Sequence, residues 1–255
     1  MQLRGNSVSN LLYMRTFIPR FIGWFRRHLY RLADNLFADY RSAIVMFHHV
    51  TNEKLDDVHP SCMCTIDEFR EIVADVKDSA ISMDELVDRI ECKKYTGRAI
   101  VLTFDDVPKD FYYNAYPILK ESRVPFVLYI TYNYIGLDGY LTKEQLQEIA
   151  ADELATIASH TMTHPFLRGE KLAFIKREIY DSKDKLERML NTSIRHFAYP
   201  YGSAYAVGYR AERELSKSTY RSAVATIAGY INPLSAKNIY RLPRIYSGLY
   251  TSVYK

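Results

Sequence analysis

The chain has 255 residues, of which 48% are hydrophobic and 25% charged, which fits one large domain, or a domain with an appendage, and excludes a disordered protein. The formal net charge is +4, but residues 1–31 hold six arginines and no acidic residue. Taking these six from the 34 basic residues leaves 28 against 30 acidic ones, a net charge of −2 for the rest of the chain. We therefore do not expect the body of the protein to bind nucleic acid.

Residues 1–40 form a predicted N-terminal extension in which aromatic and aliphatic side chains alternate with arginines. The pattern over residues 15–32 predicts a basic amphipathic helix that could contact an anionic membrane surface; the alternative is that it packs on the domain or on a partner chain. No apolar run of about 18 residues and no small-residue cleavage site occurs, so we expect neither a membrane-spanning helix nor a signal peptide. We expect a cytoplasmic or membrane-peripheral protein, with an extracytoplasmic location as the alternative.

Residues 41–255, in which apolar runs alternate with amphipathic stretches, form a second predicted unit. The apolar runs predict seven strands, over residues 43–47, 99–106, 125–130, 154–158, 194–198, 223–226 and 239–242. Helices are predicted between the strands, including a long one over residues 170–190, with N-caps at Thr65, Ser82 and Thr142. This alternation predicts an α/β fold of βα units around a parallel sheet, and seven strands favour a barrel over an open sheet.

Two histidines and an acidic pair, which lie at or shortly after the ends of predicted strands, form a candidate metal site. His160 and His164 are four residues apart, a spacing that predicts two imidazoles on one face of a helical turn. The pair Asp105-Asp106 ends the strand over residues 99–106. One aspartate and two histidines leave coordination positions open for water and substrate, which is typical of a catalytic metal.

Three motifs follow one another along the chain: Thr103-Phe104-Asp105-Asp106, Ser159-His160-Thr161-Met162-Thr163-His164 and Phe197-Ala198-Tyr199-Pro200-Tyr201-Gly202. In order and spacing they resemble the motifs of the polysaccharide deacetylase family, the carbohydrate esterases with a NodB-homology domain, over roughly residues 41–250. The third motif, and an early strand that ends in histidine, resemble the branch that deacetylates exopolysaccharides such as poly-N-acetylglucosamine. The resemblance implies a distorted (β/α)7 TIM-like barrel and metal-dependent removal of N-acetyl groups from amino sugars of a bacterial polysaccharide or its precursor.

The resemblance also implies which residues bind the metal and activate water. Asp106, His160 and His164 match the family's metal ligands, and Asp105 matches its general base. Zn²⁺ is the ion expected for two imidazoles and one carboxylate, with Co²⁺, Ni²⁺, Fe²⁺ or Mn²⁺ as alternatives.

The resemblance also implies a general acid in an early motif, residues 47–50, and oxyanion and substrate contacts in a late one, residues 200–202. Phe47-His48-His49-Val50 matches the segment that supplies the general acid in this branch, which selects His48, with His49 as its rival if the strand phase differs by one. Tyr201 matches the position whose backbone N–H stabilises the developing oxyanion. Pro200, Tyr201 and Gly202 are expected to shape the groove for an N-acetylated glycan, and four tyrosines could line it: Tyr132, Tyr134, Tyr205 and Tyr246.

The sequence departs from the family pattern at three places. Val107 stands where the family usually has glycine, and Ala198 where many members carry an arginine that orients the base; Arg241 or Arg244 could replace that arginine. The late segment Arg241-Leu242-Pro243-Arg244 also lacks the histidine that many members have there. These departures leave two other functions open: a catalytically weak or inactive carbohydrate-binding barrel, and an O-acetyl esterase that uses the same site.

Overall fold

The structure, a computed structural model, describes residues 42–253. The predicted extension over residues 1–40, with its amphipathic helix, lies outside the described residues. Within the described part of the chain, no helix combines the length and the apolar character needed to cross a membrane.

Seven of the nine strands among the described residues form a central parallel sheet. The strands, in chain order, are β1 (Ala43–Phe47), β2 (His49–Val50), β3 (Met63–Cys64), β4 (Ile100–Asp105), β5 (Phe126–Ile130), β6 (Ala155–Ser159), β7 (His196–Ala198), β8 (Ser222–Val224) and β9 (Ile245–Tyr246). The order across the sheet is β8-β7-β6-β5-β4-β1-β9, while β2 and β3 pair separately. All pairs in the large sheet are parallel, as the alternation of strands and helices predicts.

The segment over residues 242–246 joins the two edges of this sheet. Leu242 donates a backbone hydrogen bond to Ala223 and accepts one from Ala225, at the β8 edge. Three residues later, β9 pairs with β1 at the other edge. The strands therefore curl round into the distorted α/β barrel that the sequence predicts.

Helices follow most strands and cover the outside of the sheet. Their bounds are α1 (Ile66–Val76), α2 (Met83–Glu91), α3 (Tyr116–Ser122), α4 (Lys143–Ala150), α5 (Leu172–Lys176), α6 (Ser182–Leu190), α7 (Ala204–Val207), α8 (Tyr209–Leu215) and α9 (Ser247–Val253). The predicted N-caps are confirmed, because the side chains of Thr65, Ser82 and Thr142 each accept a backbone N–H from the first helical turn. The long helix over residues 170–190 is also confirmed, with a π-helical turn, Arg177–Asp181, between α5 and α6.

Alternate residues of each strand face the barrel interior and the helices. In β4, Val101 packs inside with residues such as Ile44 and Val127, whereas Leu102 and Phe104 pack outward against the helices. Both faces are buried, which is why these strands are nearly continuous apolar runs. The same alternation directs the side chain of Asp105 into the barrel.

The strand predicted over residues 239–242 is wrong. Ile239–Arg241 forms a 3-10 turn that begins at Asn238, whose side chain accepts the backbone N–H of Tyr240. Such local capping competes with strand pairing, and Pro243 has no N–H to donate to a neighbouring strand. The final strand lies slightly later, at β9.

Candidate metal centre

A cavity of about 380 Å³ opens at the carboxyl ends of the strands. The catalytic positions predicted from the sequence line it: His48, Asp105, Asp106, His160, His164 and Tyr201. One wall is formed by the loop over residues 57–62, with Tyr140, Thr226 and Tyr246 elsewhere in the lining. The six predicted positions come from four separate parts of the chain, which the structure brings to one cleft.

Asp106, His160 and His164 converge at the base of this cleft. The Oδ1 atom of Asp106 lies 3.6 Å from Nε2 of His164 and 3.9 Å from Nε2 of His160. One ligand atom from each of the three residues lies within 4.8 Å of the others. Ligands about 2 Å from a shared ion would have this separation, so the three side chains can hold one divalent metal.

Hydrogen bonds fix the ligand atoms in the form that a metal requires. His160 Nδ1 lies 2.8 Å from the carbonyl oxygen of Ala198. Because a carbonyl only accepts, Nδ1 carries the proton and the lone pair of Nε2 faces Asp106. The Thr131 hydroxyl donates to Oδ1 of Asp106 over 3.2 Å, and burial together with neighbouring His160 lowers the pKa of His164 to about 4. The donor set therefore fits a metal ion.

The helical turn predicted for residues 160–164 is wrong. The segment is irregular, with Thr161 at φ 74° and His164 at φ 58°, both in the left-handed region. Pro165 follows directly and disfavours a right-handed helical conformation at His164. The rings of His160 and His164 nevertheless lie 4.9 Å apart, because the Thr161 hydroxyl accepts the backbone N–H of His164 and closes the turn.

The two adjacent aspartates serve one cleft because the chain reverses between them. Asp105 ends β4 pointing into the barrel, and Asp106 and Val107 follow with φ of 58° and 51°. A left-handed conformation costs a residue with a Cβ about 1–2 kcal/mol, which explains why glycine is usual at the position of Val107. The Val107 side chain is 1% exposed, so its burial offsets part of this cost.

Arg244 holds Asp105 through two parallel hydrogen bonds. Its Nη1 and Nη2 atoms each lie 2.6 Å from one carboxylate oxygen of Asp105, and both side chains are buried, at 1% and 3% exposure. Burial alone would raise the pKa of Asp105, but the guanidinium outweighs it and holds that pKa well below its usual range. Arg241 instead pairs with Glu212. Of the two arginines considered from the sequence, Arg244 is therefore the one that contacts Asp105.

His48 and His49, the two candidates for the general acid, have different surroundings. His48 Nδ1 is buried and has no hydrogen-bond partner among the described residues. Burial lowers the pKa of His48, although Asp105 and Asp106 act in the opposite direction. His49 Nδ1 lies 2.6 Å from Oδ2 of Asp110, so that ring is held by a partner outside the metal cluster.

Tyr201 and Gly202 form a tight turn at the edge of the cleft. Tyr201 has φ 59° and none of the described residues accepts its backbone N–H. Gly202 has φ 54°, and a Cβ there would lie 1.9 Å from the Thr226 hydroxyl and 2.5 Å from the Thr226 backbone nitrogen. Only glycine fits this close approach.

An exposed pair of aromatic rings lies beside the metal ligands. Phe166 and Tyr201 stack at 3.9 Å with an interplanar angle of 8°, and they are 47% and 51% exposed. The Tyr201 ring also lies 4.7 Å from that of His164. Sequence reasoning missed Phe166, although an aromatic residue directly after the His164-Pro165 pair was a usable signal.

The other tyrosines divide between the cleft and its surroundings. Tyr246 lines the cavity as expected, and so does Tyr140, which sequence reasoning missed. The Tyr134 ring packs against that of Tyr140 at 4.6 Å with an interplanar angle of 40°, and it lies 6.1 Å from the His164 ring. Tyr205 packs under the Arg168 guanidinium instead.

The fold and the site together define a class: parallel α/β barrels that can bind a divalent metal at the carboxyl ends of their strands. A family model described as polysaccharide deacetylase matches residues 93–220, half of the chain. The protein belongs to the polysaccharide deacetylase family.

A known relative agrees with this assignment, and solved structures agree with the fold. The chain is 32% identical over 135 residues to the poly-beta-1,6-N-acetyl-D-glucosamine N-deacetylase of Staphylococcus epidermidis. The aligned region covers 48% of this chain and 47% of that protein. The chain therefore matches about half the length of this relative. The Streptococcus pyogenes deacetylase PplD, solved with acetate, is similar in fold with a TM-score of 0.66 at 24% identity, covering 80% of this chain and 90% of that one. IcaB from Ammonifex degensii is similar in fold with a TM-score of 0.68 at 19% identity, covering 80% of this chain and 91% of that one.

Proposed function

We propose that this protein is a metal-dependent hydrolase that removes N-acetyl groups from amino sugars of a bacterial polysaccharide or its precursor. One observation carries the proposal: the cluster of Asp106, His160 and His164 shares a cleft with Asp105, a buried carboxylate held by Arg244. Amide hydrolysis needs an activated water, a polarised carbonyl and a proton for the leaving amine. The Staphylococcus epidermidis relative, named for N-deacetylation of poly-N-acetylglucosamine, supports this substrate class.

Asp106, His160 and His164 would hold the metal, with Zn²⁺ as the ion that suits two imidazoles and one carboxylate. A divalent ion bound there supplies Lewis-acid polarisation of the acetyl carbonyl and a lowered pKa for water. Asp105 accepts the proton of the attacking water. Arg244 keeps that carboxylate ionised and fixes its orientation, and thus serves as a positioning residue.

His48 donates the proton to the leaving nitrogen. Its unpartnered Nδ1 and its position among the cleft carboxylates support this role, whereas His49 is held by Asp110. The Tyr201 backbone N–H stabilises the developing oxyanion, since the described residues leave this donor free.

The exposed rings beside the metal ligands bind the face of a sugar. Phe166 and Tyr201 offer a flat apolar surface next to His164, and pyranose rings present C–H groups that pack on aromatic faces. Pro200 and Gly202 shape the same edge of the cleft by holding the turn that carries Tyr201. Tyr140 and Tyr246 line the cavity elsewhere and can donate hydrogen bonds to sugar hydroxyls.

Acetate release from N-acetylglucosamine oligomers tests the proposal. The protein is assayed as purified, after treatment with a chelator, and after Zn²⁺ is restored. We expect chelation to abolish release, Zn²⁺ to restore it, and Asp106→Asn to reduce it at least about 100-fold because a metal ligand is lost. Asp57→Asn is the matched control, since this acid lines the same cleft outside the metal cluster. Full activity of the Asp106→Asn protein would refute the proposal.

The same assay separates the two alternatives. An O-acetyl esterase would release acetate from O-acetylated sugars but not from N-acetylated ones. A catalytically silent carbohydrate-binding barrel would bind the oligomers without releasing acetate and would hold no stoichiometric metal by elemental analysis.

A further inference from the structure

A buried carboxylate lies directly behind the loop that carries the two histidines. Glu178 is 3% exposed and projects from the π-helical turn Arg177–Asp181. Its Oε2 atom accepts the backbone N–H groups of Met162 and Thr163, each over 2.9 Å, and its Oε1 atom accepts the Thr163 hydroxyl over 2.9 Å. Glu178 has no lysine or arginine partner among the described residues. Its charge is therefore satisfied by this loop alone.

The loop needs such an anchor because its backbone is strained. Thr161 and His164 both have a left-handed backbone conformation, which costs about 1–2 kcal/mol for each residue. Such conformations persist only where the surrounding structure holds them. The start of the loop is held by Ile130, whose carbonyl accepts the His160 N–H over 2.8 Å. Glu178 holds the middle of the loop, between the two histidines.

The residue directly after this turn, the first of α6, contacts the strand that precedes the loop. The Ser182 hydroxyl lies 2.8 Å from that of Ser159, the last residue of β6, and 2.7 Å from the Glu178 carbonyl. A π-helical turn inserts one extra residue into a helix, and such turns are frequent at functional sites. Glu178 and Ser182 together thus contact the chain on both sides of His160.

We propose that Glu178 is a positioning residue for the metal centre: it sets the separation of the His160 and His164 imidazoles and so determines how tightly the site binds a divalent ion. The inference rests on the proposed function, because it assumes that these histidines bind a metal. Glu178 itself touches neither the ion nor the substrate.

Titration of the chelator-treated protein with Co²⁺ tests this role, because the visible absorption of Co²⁺ reports both affinity and ligand geometry. Glu178→Gln keeps the shape of the side chain but turns an amide NH2 towards a donor. We expect Co²⁺ to bind about 10- to 100-fold more weakly, with an altered spectrum, as for other outer partners of metal ligands. Glu214→Gln is the matched control, a buried glutamate that faces Lys176 and Lys217.

A milder variant keeps the test decisive if Glu178→Gln does not fold. Thr163→Val removes one of the three donors, and we expect Co²⁺ binding several-fold weaker than in the unmodified protein. Unchanged affinity and spectrum in Glu178→Gln, or in Thr163→Val if only that variant folds, would overturn the inference while leaving the metal centre in place. Failure of the unmodified protein to bind Co²⁺ would overturn the proposed function as well.

Discussion

At the scale of single residues, the adjacent His48 and His49 differ in their contacts, and the proposed mechanism gives only His48 the role of general acid. If His48 protonates the leaving nitrogen, His48→Asn should slow hydrolysis of an N-acetylated sugar about 100-fold or more. Hydrolysis of an activated aryl acetate should fall far less, because a phenolate leaves without a proton. His49→Asn, the control, should change both rates less than about tenfold. Equal losses on both substrates in His48→Asn would contradict the acid role.

Gly202 is constrained by both its conformation and its neighbour. An added Cβ would collide with Thr226 in addition to straining the backbone. We expect Gly202→Ala to lower the free energy of unfolding by about 3 kcal/mol and to reduce activity by displacing Tyr201. Gly97→Ala is the control, because Gly97 has φ 88° but no atom near its Cβ position; it should cost only about 1–2 kcal/mol. If urea unfolding showed the same loss of unfolding free energy in Gly202→Ala and Gly97→Ala, the collision with Thr226 would be ruled out.

At the scale of elements, the segment leading into β9 carries Arg244, the partner of the proposed base Asp105. Arg244→Lys keeps a positive charge but loses the planar pair of hydrogen bonds to Asp105. We expect kcat to fall about tenfold or more. Because weaker pairing lets the pKa of Asp105 rise, the acid limb of the pH–rate profile should move to higher pH.

Arg241→Lys is the control for this prediction, since Arg241 is buried in the same segment but pairs with Glu212. It should keep the rate and the pH profile of the unmodified protein. A shifted acid limb in both variants, or in neither, would show that Arg244 does not act through Asp105.

Elements with strong local signals were predictable from the sequence, and those set by distant contacts were not. The N-caps at Thr65 and Thr142 and the apolar runs of β1 and β4 depend on neighbouring residues. The turn over residues 160–164 depends on Pro165 and on Glu178, which is distant in sequence, so a spacing of four was wrongly assigned to a helix. The four-residue spacing therefore identified His160 and His164 as neighbours, but it did not predict the backbone conformation that brings their rings together.

At the scale of the whole molecule, the barrel has a second polar cluster around His196, at the start of β7 and away from the cleft. His196 is fully buried, its Nε2 lies 3.2 Å from Asp84 and its Nδ1 lies 2.9 Å from the Ser222 hydroxyl. Asp84 also pairs with Arg195 and Arg221. The cluster connects α2 to β7 and β8.

This cluster should make the stability of the metal-free protein depend on pH. Burial lowers the pKa of His196 below its usual value of 6.5, so the unfolded chain binds a proton first as the pH falls. Stability contributed by neutral His196 is therefore complete above about pH 6.5 and is lost below it, with a slope of up to about 1.4 kcal/mol per pH unit.

Urea unfolding from pH 8 to pH 5, with chelator present, measures this dependence. His196→Gln should flatten the curve below pH 6.5 without abolishing its slope, because burial also lowers the pKa of His48 and His164. Above pH 7.5 the two curves should run parallel. Curves that stay parallel throughout would show that His196 does not contribute.

The prediction of a barrel succeeded because the order of strands and helices nearly determines a parallel α/β topology. The candidate site was predictable where residues end a strand or directly follow one, as with Asp105 and His160. Phe166, Tyr140 and Glu178 were missed because their relation to the cleft arises only when loops and helices pack. The pairing of Arg244 with Asp105 links positions 139 apart in sequence, and no local pattern reports such a contact.

Segment 242–246 both closes the barrel and brings Arg244 to Asp105. During synthesis on the ribosome, the acids and both histidines emerge well before this segment. A nascent chain lacking it would contain Asp105, the proposed base, with no guanidinium to orient its carboxylate. Hydrolytic competence should therefore arise late and abruptly, when the two sheet edges are joined, so that partly made molecules are inert towards cellular amides.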